Sequence, residues 1–130
     1  MISIDDFKKL EIKIGHILSA EKIEGSEKLL KLSVDMGLKP FAKGSPDQSE
    51  GSDLGERDIR QIVSGISAHF PDPQMLVGKK CAFAANLEPR MLMGFESQGM
   101  IMAVSGGEGD QKFFSLLETS GDVLPGSVVK

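Results

Sequence analysis

The stretch LEIKIGHILS, residues 10–19, decides how this chain folds. Leu10, Ile12 and Ile14 alternate with polar residues, which is the pattern of a half-buried β-strand. Gly15 interrupts this alternation before the apolar residues resume. Because a glycine inside a strand indicates a bulge or a sharp bend, the stretch predicts a long first strand that bends at Gly15. A small closed barrel needs a strand of this kind.

Short helices and further strands are predicted on both sides of this stretch. Residues 4–9 are predicted to form a helical turn, with Ser3 as its N-cap. Further strands are predicted at 30–34, 60–63, 79–85, 100–104, 112–117 and 127–129. Helical turns are predicted at 66–70 and 74–77, between the third and fourth strands. The pattern indicates an all-β fold with short helices, namely a five-stranded antiparallel barrel followed by further short strands, and the helical piece between strands three and four favours the oligonucleotide-binding (OB) barrel.

A polar insertion separates the second strand from the third. Between Gly44 and Gly55 the one apolar residue is Leu54. So little apolar surface does not offset the entropy that ordering would cost. We therefore expect one domain over residues 1–130 with a flexible insertion at about 38–57. Because the insertion carries charges of both signs, we favour tolerated extra length over an added contact arm.

The composition excludes several classes of protein. Fifteen Lys and Arg against nineteen Asp and Glu give a net charge of −4, which opposes nucleic-acid binding unless the cations cluster. The single cysteine, Cys81, excludes an intrachain disulfide and is expected to be a small buried hydrophobe. No apolar run approaches the roughly 20 residues that cross a bilayer, and the N-terminus does not resemble a signal peptide. We expect a soluble, cytoplasmic protein without a membrane partner.

The sequence lacks the residue clusters that enzymes and metalloproteins use. His16 and His69 lie far apart, and neither has a cysteine or a second histidine beside it, so we expect no metal site. Phosphate-binding glycine motifs and nucleophile elbows are absent. We therefore expect no enzyme activity and no cofactor. The polar stretch 86–100, which lies between two apolar strands, is a candidate binding loop.

Five ordered blocks resemble the tRNA-binding domain of bacterial and archaeal methionyl-tRNA synthetases and of free-standing tRNA-binding proteins. The blocks are DFKKLEIKIGHILSAEKIEGSEKLLKLSVDMG, RQIVSGI, VGKKCAFAANLEPR, MGFESQGMIMAV and LPGSVVK. The resemblance runs from about Ile4 to Lys130 and is interrupted only at residues 38–57. It implies an OB barrel with appended strands, dimerisation in many members, tRNA binding by structure rather than by sequence, and no catalytic activity of the domain itself.

The resemblance also implies a set of nine tRNA-binding residues. They are Lys28, Lys31, Arg60, Asn86, Arg90, Ser97, Gln98, Gly99 and Met100. A guanidinium offers a fork for phosphate, and amides and hydroxyls offer partners for 2′-hydroxyls, phosphates or base edges. The alternation around Lys31 predicts that its side chain points outward. A solvated surface role for the cations and a packing role for the loop residues both stay open.

Our first hypothesis is a non-catalytic tRNA-binding module, expected as a homodimer. It would act free-standing or as the part of a methionyl-tRNA synthetase that dimerises the enzyme. Met1 directly precedes the first block, which favours a separate protein, and a piece of a longer protein stays an alternative. The rivals are a dimeric chaperone-like protein that binds unfolded polypeptide and a scaffold module that binds a synthetase. The RNA assignment fails if Lys31, Asn86 and Arg90 lie on unrelated sides of the barrel or are buried under a neighbouring subunit.

Overall fold

A computed structural model describes residues 1–39 and 56–130. Helix α1 spans Ile4–Phe7 and is capped by Ser3, as predicted. The strands are β1 (Ile12–Lys22), β2 (Leu30–Leu38), β3 (Arg57–Ser64), β4 (Lys80–Ala84), β5 (Arg90–Leu92), β6 (Phe95–Ser97), β7 (Met100–Ile101), β8 (Ala103–Gly106) and β9 (Phe113–Leu116). Short 3-10 helices lie at Ser67–His69, Pro73–Leu76 and Gly109–Gln111. Most of the predicted insertion, residues 40–55, lies outside the described residues.

Five strands form one curled antiparallel sheet in the order β3-β2-β1-β4-β7. Strands β5 and β6 form a separate hairpin, and so do β8 and β9. Two 3-10 helices connect β3 to β4, where the sequence predicts helical turns. The sheet is an OB-like half-barrel, so the predicted fold class is confirmed. In the described ranges, no helix combines the length and the apolar character that crossing a membrane requires.

Strand β1 is irregular, but the irregularity does not lie at Gly15. The pairing of β1 with β2 shifts register between Ile17 and Ser19, which makes Leu18 the bulged residue. A Cβ on Gly15 would lie 2.6 to 2.8 Å from three core side chains, those of Val34, Met36 and Phe83. Gly15 therefore leaves room for the core, and the bulge of β1 lies at Leu18 instead of at Gly15. The alternation breaks because a side chain does not fit there.

The core lies between β1, β2, β3 and β4. Leu30, Leu32 and Val34 of β2 are each at most 1% exposed, as their alternation predicts, and Lys31 points to the opposite face. Cys81 lies in the same cluster. Burial raises the pKa of the Cys81 thiol to about 11. The thiol is therefore protonated at neutral pH and behaves as the small hydrophobe that the sequence predicts.

The C-terminal residues pack beside the first half of β1. Residues 127–129 were predicted to be a strand, but they form only an isolated bridge with β1. The Ile14 N–H donates to the Ser127 carbonyl, and the Val129 N–H donates to the Ile12 carbonyl, both at 2.8 Å. The second half of β1 pairs with β2 instead. The two halves of β1 therefore have different neighbours on the same edge.

Candidate functional site

Residues 86–100 were predicted to be a loop between two strands. The structure shows that this stretch contains the β5–β6 hairpin. The two residues between its strands, Met93 and Gly94, have φ angles of 51° and 83°. Two successive positive φ angles are the conformation of a type I′ turn, which joins hairpin strands well. Methionine seldom takes a positive φ, so the sequence signal for this turn is weak.

The hairpin packs against the outer face of the sheet. The Lys31 Nζ atom lies 4.6 Å from the centroid of the Phe95 ring, within the range of a cation–π contact. At the hairpin tip, the Met93 Cε atom lies 3.8 Å from the position that a Cβ on Gly25 would take. Gly25 belongs to the β1–β2 loop, which also carries Lys28. In OB folds this loop and the strand face beside it form the usual ligand-binding region.

A groove of about 320 Å³ lies on this outer face. Its polar lining includes Ser19, Glu21, Lys31, Ser33, Gln61 and Gln98. Glu21 stands directly opposite Lys31 in the β1–β2 register, and its carboxylate lies 2.8 Å from the Lys31 Nζ atom. The lining offers hydroxyls, amides and an ammonium, which are the groups that RNA-binding surfaces use toward ribose, base edges and phosphate.

Residues 97–99, which we name the strap, attach the hairpin to β3. Ser97 is buried, and its hydroxyl accepts a hydrogen bond of 3.0 Å from the Val63 N–H. The Gln61 N–H donates to the side-chain Oε1 of Gln98 at 3.0 Å, and the Gln98 N–H donates to the Gln61 carbonyl at 2.8 Å. The polar atoms that sequence comparison suggested for RNA are therefore used to position the loop.

Gly99 completes the strap and admits no side chain. Its φ is +155°, and a Cβ there would lie 3.0 Å from both the Ala84 carbonyl oxygen and the Ile62 Cδ1 atom. The next residue, Met100, is 51% exposed and lies beside Arg90 on a small cavity of about 80 Å³. Within the SQGM block, Ser97 is buried, Gln98 and Gly99 are partly buried, and Met100 is exposed.

Asn86 is committed to the N-terminal segment. Its Nδ2 donates to the Lys9 carbonyl at 2.7 Å, and its Oδ1 accepts from the Glu11 N–H at 2.7 Å. These bonds direct the amide toward the link between α1 and β1. The structure therefore does not bring the Asn86 amide into the groove with Lys31, although the hypothesis placed both on one side.

Arg60 also has internal partners. Its guanidinium lies 3.0 Å from the Asp58 carboxylate, and its Nη1 donates to the carbonyls of Ala85 and Gln98. Because the Arg60 register partner is Val34, the side chain starts from the core-facing side of β3. Arg60 thus ties β3 to the end of β4 and to the strap.

We name three of the predicted cations the rim: Lys31 lines the groove, Lys28 lies in the β1–β2 loop, and Arg90 begins β5 of the hairpin. Lys28 and Arg90 are exposed, and neither side chain has an ion pair or a hydrogen bond within residues 1–39 and 56–130. The backbone carbonyl of Lys28 accepts from the Ser67 N–H at 3.0 Å, which fixes the position of the β1–β2 loop. The rim can therefore offer positive charge to a ligand that enters the groove.

A second, apolar groove of about 500 Å³ lies beside α1. Its apolar lining is Ile4, Phe7, Leu10, Val128 and Val129. Within the described part of the chain, no three His, Cys, Asp or Glu side chains are grouped as a metal site would need. His69 stacks on Phe114 with ring centroids 3.9 Å apart, which is a packing contact.

Comparison with known proteins adds sequence and structural relatives. Residues 51–128 match the family described as a tRNA binding domain. Methionine–tRNA ligase from Thermotoga maritima is 39% identical over 128 residues, which are 98% of this chain and 16% of the ligase. The methionyl-tRNA synthetase-related protein from Pyrococcus horikoshii superimposes with a TM-score of 0.74 at 32% identity, over 100% of this chain and 98% of that one. The chaperone CsaA from Picrophilus torridus has a TM-score of 0.72 at 21% identity, with full coverage of both chains, and shows a shared fold.

Proposed function

This chain belongs to the tRNA-binding domain family, and from that premise we propose that it is a non-catalytic module that binds tRNA in the cytoplasm. The family match confirms the resemblance that the five sequence blocks indicate. The chain spans 16% of the length of the methionine–tRNA ligases that it matches, so the activity of a ligase is not assigned to it. The observation that supports the proposal is the contact of the hairpin with Lys31 and its approach to the β1–β2 loop, because these elements carry the rim cations.

We divide the nine predicted residues into two groups. The rim cations and Met100 contact tRNA directly in this proposal, since Lys28, Arg90 and Met100 are exposed and Lys31 lines the groove. The other five hold the loop that presents them. They are Arg60, Asn86, Ser97, Gln98 and Gly99. This division explains how a loop rich in polar groups serves a ligand although most of those groups already have protein partners.

The proposed contact is small and electrostatic. Each phosphate that the rim neutralises contributes about 0.7 to 0.9 units to the salt slope of binding. Three cations per chain therefore give a slope of roughly two to three, which is small for a nucleic-acid binder. Because the net charge is −4, RNA binding at surfaces other than the rim is unfavourable. We expect weak, salt-sensitive binding that depends little on sequence.

We also propose that the module is a homodimer and that methionyl-tRNA synthetase is a possible partner. Apolar side chains remain exposed beside the appended segments, among them Ile4, Val104, Phe113 and Leu124. A second copy would cover part of this surface and double the number of rim cations. Light scattering after gel filtration tests the dimer, and a pull-down with the purified synthetase tests the partner.

Binding of unfolded polypeptide is the second candidate function. The apolar groove beside α1 favours it, because its exposed lining suits aliphatic and aromatic side chains. That groove is separate from the rim, so the two functions predict different responses to salt and to rim substitutions. Polypeptide binding through apolar contacts should persist at high salt, whereas tRNA binding should not.

A binding titration at several salt concentrations tests the proposal, with bulk tRNA, single-stranded DNA and an unfolded polypeptide as ligands. We expect a preference for tRNA, weaker binding as salt rises, and about fivefold weaker binding in Arg90→Ala. Lys112→Ala is the matched control, since it removes the same charge from an exposed position outside the groove. Polypeptide binding without tRNA binding would favour the second candidate. Binding of neither, with capture by the synthetase, would favour a scaffold module.

A further inference from the structure

The one rim cation inside the groove is already paired. Glu21 and Lys31 face each other across β1 and β2, and their charged atoms lie 2.8 Å apart. The Lys31 ammonium also contacts the Phe95 ring at 4.6 Å. Of these two partners, Phe95 carries no charge, whereas the carboxylate already balances the charge that a phosphate would pair with.

The second cation of the groove lining is neutralised as well. The Arg60 guanidinium lies 3.0 Å from the Asp58 carboxylate, and its Nη1 atom donates to two backbone carbonyls. Among the described lining residues, each cation therefore has a carboxylate in contact. An arriving phosphate meets positive charge at Lys31 only after Glu21 has moved away. The Glu21 side chain is 63% exposed, so it has room to turn toward solvent.

We infer that Glu21 competes with RNA phosphate for Lys31 and thereby sets the affinity and the salt dependence of the groove. This inference rests on the proposed tRNA binding. An exposed ion pair is weak, so a phosphate can displace it. The displaced carboxylate stays nearby and repels the phosphate, which lowers the gain from that contact. A ligand that also reaches Lys28 and Arg90 overcomes this repulsion, whereas an isolated phosphate does not, and repulsion of this kind favours the intended partner.

The test compares the wild type with Glu21→Gln, which keeps the shape of the side chain and removes its charge. We expect tRNA to bind the variant about threefold more tightly at low salt, with a smaller difference as salt rises. Glu118→Gln is the matched control. It removes the same charge and breaks a similar exposed pair, that of Glu118 with Lys79 at 3.1 Å, outside the groove.

A double substitution separates local competition from the change in net charge. In a Lys31→Gln background, Glu21→Gln should alter tRNA affinity no more than Glu118→Gln does, because the contested ammonium is gone. If Glu21→Gln and Glu118→Gln change tRNA affinity equally when Lys31 is unchanged, the inference is overturned while the proposed function stays intact. If the wild type does not bind tRNA at all, the proposed function fails, and the inference fails with it.

Discussion

The strap and the rim come from blocks of the same family resemblance, yet their side chains have different partners. Ser97 and Gln98 form hydrogen bonds to β3, and Gly99 is packed against β4 and β3. Lys28 and Arg90 are exposed. A sequence block can therefore be typical of a ligand-binding family although many of its residues hold the loop in place. Those residues position the side chains that are proposed to contact the ligand. Substitutions in the strap should therefore lower stability, and substitutions in the rim should lower affinity.

Gly99→Ala is the substitution with the largest expected effect, and it tests the structural role of the strap. The new Cβ would meet the Ala84 carbonyl at 3.0 Å, and the backbone there disfavours any side chain. We expect the free energy of unfolding to fall by about 2 to 3 kcal/mol, measured by urea titration. Gly65→Ala is the control, because nothing lies within 4 Å of its added Cβ and its φ is not positive. Similar losses at both glycines would contradict the role given to the strap.

Ser97→Ala tests the strap through its hydrogen bonding. The substitution leaves the buried Val63 N–H without its partner at 3.0 Å. We expect the free energy of unfolding to fall by about 2 kcal/mol, while the folded fraction binds tRNA as the wild type does. Exposed Ser105 gives the control, and Ser105→Ala should change stability by less than about 0.5 kcal/mol. A stable Ser97→Ala protein with weak tRNA binding would instead make Ser97 a direct contact.

Lys28→Ala tests the binding role of the rim. Its side chain is exposed and has no partner within the described ranges, so stability should stay within about 0.5 kcal/mol of the wild type. We expect tRNA affinity to fall about threefold at low salt and the salt slope to decrease by about one. Fluorescence anisotropy at several salt concentrations measures both. Unchanged affinity with an unchanged slope would remove Lys28 from the rim.

The smallest expected effect is that of Met93→Asn at the hairpin tip. Asparagine takes positive φ more readily than methionine, and type I′ turns favour it. We expect a gain of a few tenths of a kcal/mol in the free energy of unfolding, seen as a higher urea midpoint. A loss of stability would mean that the Met93 contact with the β1–β2 loop outweighs the turn preference.

The sequence predicted the strands whose residues alternate, and it failed where long-range contacts decide. The alternation in β2 fixed the inward leucines and the outward Lys31. The β5–β6 hairpin escaped prediction because each strand has three residues and the turn begins with methionine. Similarly, core side chains from three other positions occupy the space beside Gly15. No local sequence pattern reveals those contacts.

Long-range contacts also limited prediction of the site. The family resemblance identified the rim cations as candidate binding residues, but it did not identify the groove residues Glu21 and Gln61. Glu21 stands opposite Lys31, which requires the bulge in β1 to be placed correctly, and Gln61 stands opposite Ser33 on β2. Asn86 was assigned to RNA because its partners lie 75 and 77 residues away in the sequence. A polar side chain shows its preferred partner only when such distant segments are brought together.

The divided pairing of β1 has a consequence for how the domain can be combined with others. The first three residues of the strand touch the C-terminal segment, and the groove begins at Ser19, about seven residues further on. At roughly 3.3 Å per residue, about 20 Å of strand separates the two places. A neighbour attached beside Ile12 would thus leave the groove uncovered, so the domain could be joined to another protein at that end without blocking its proposed binding surface.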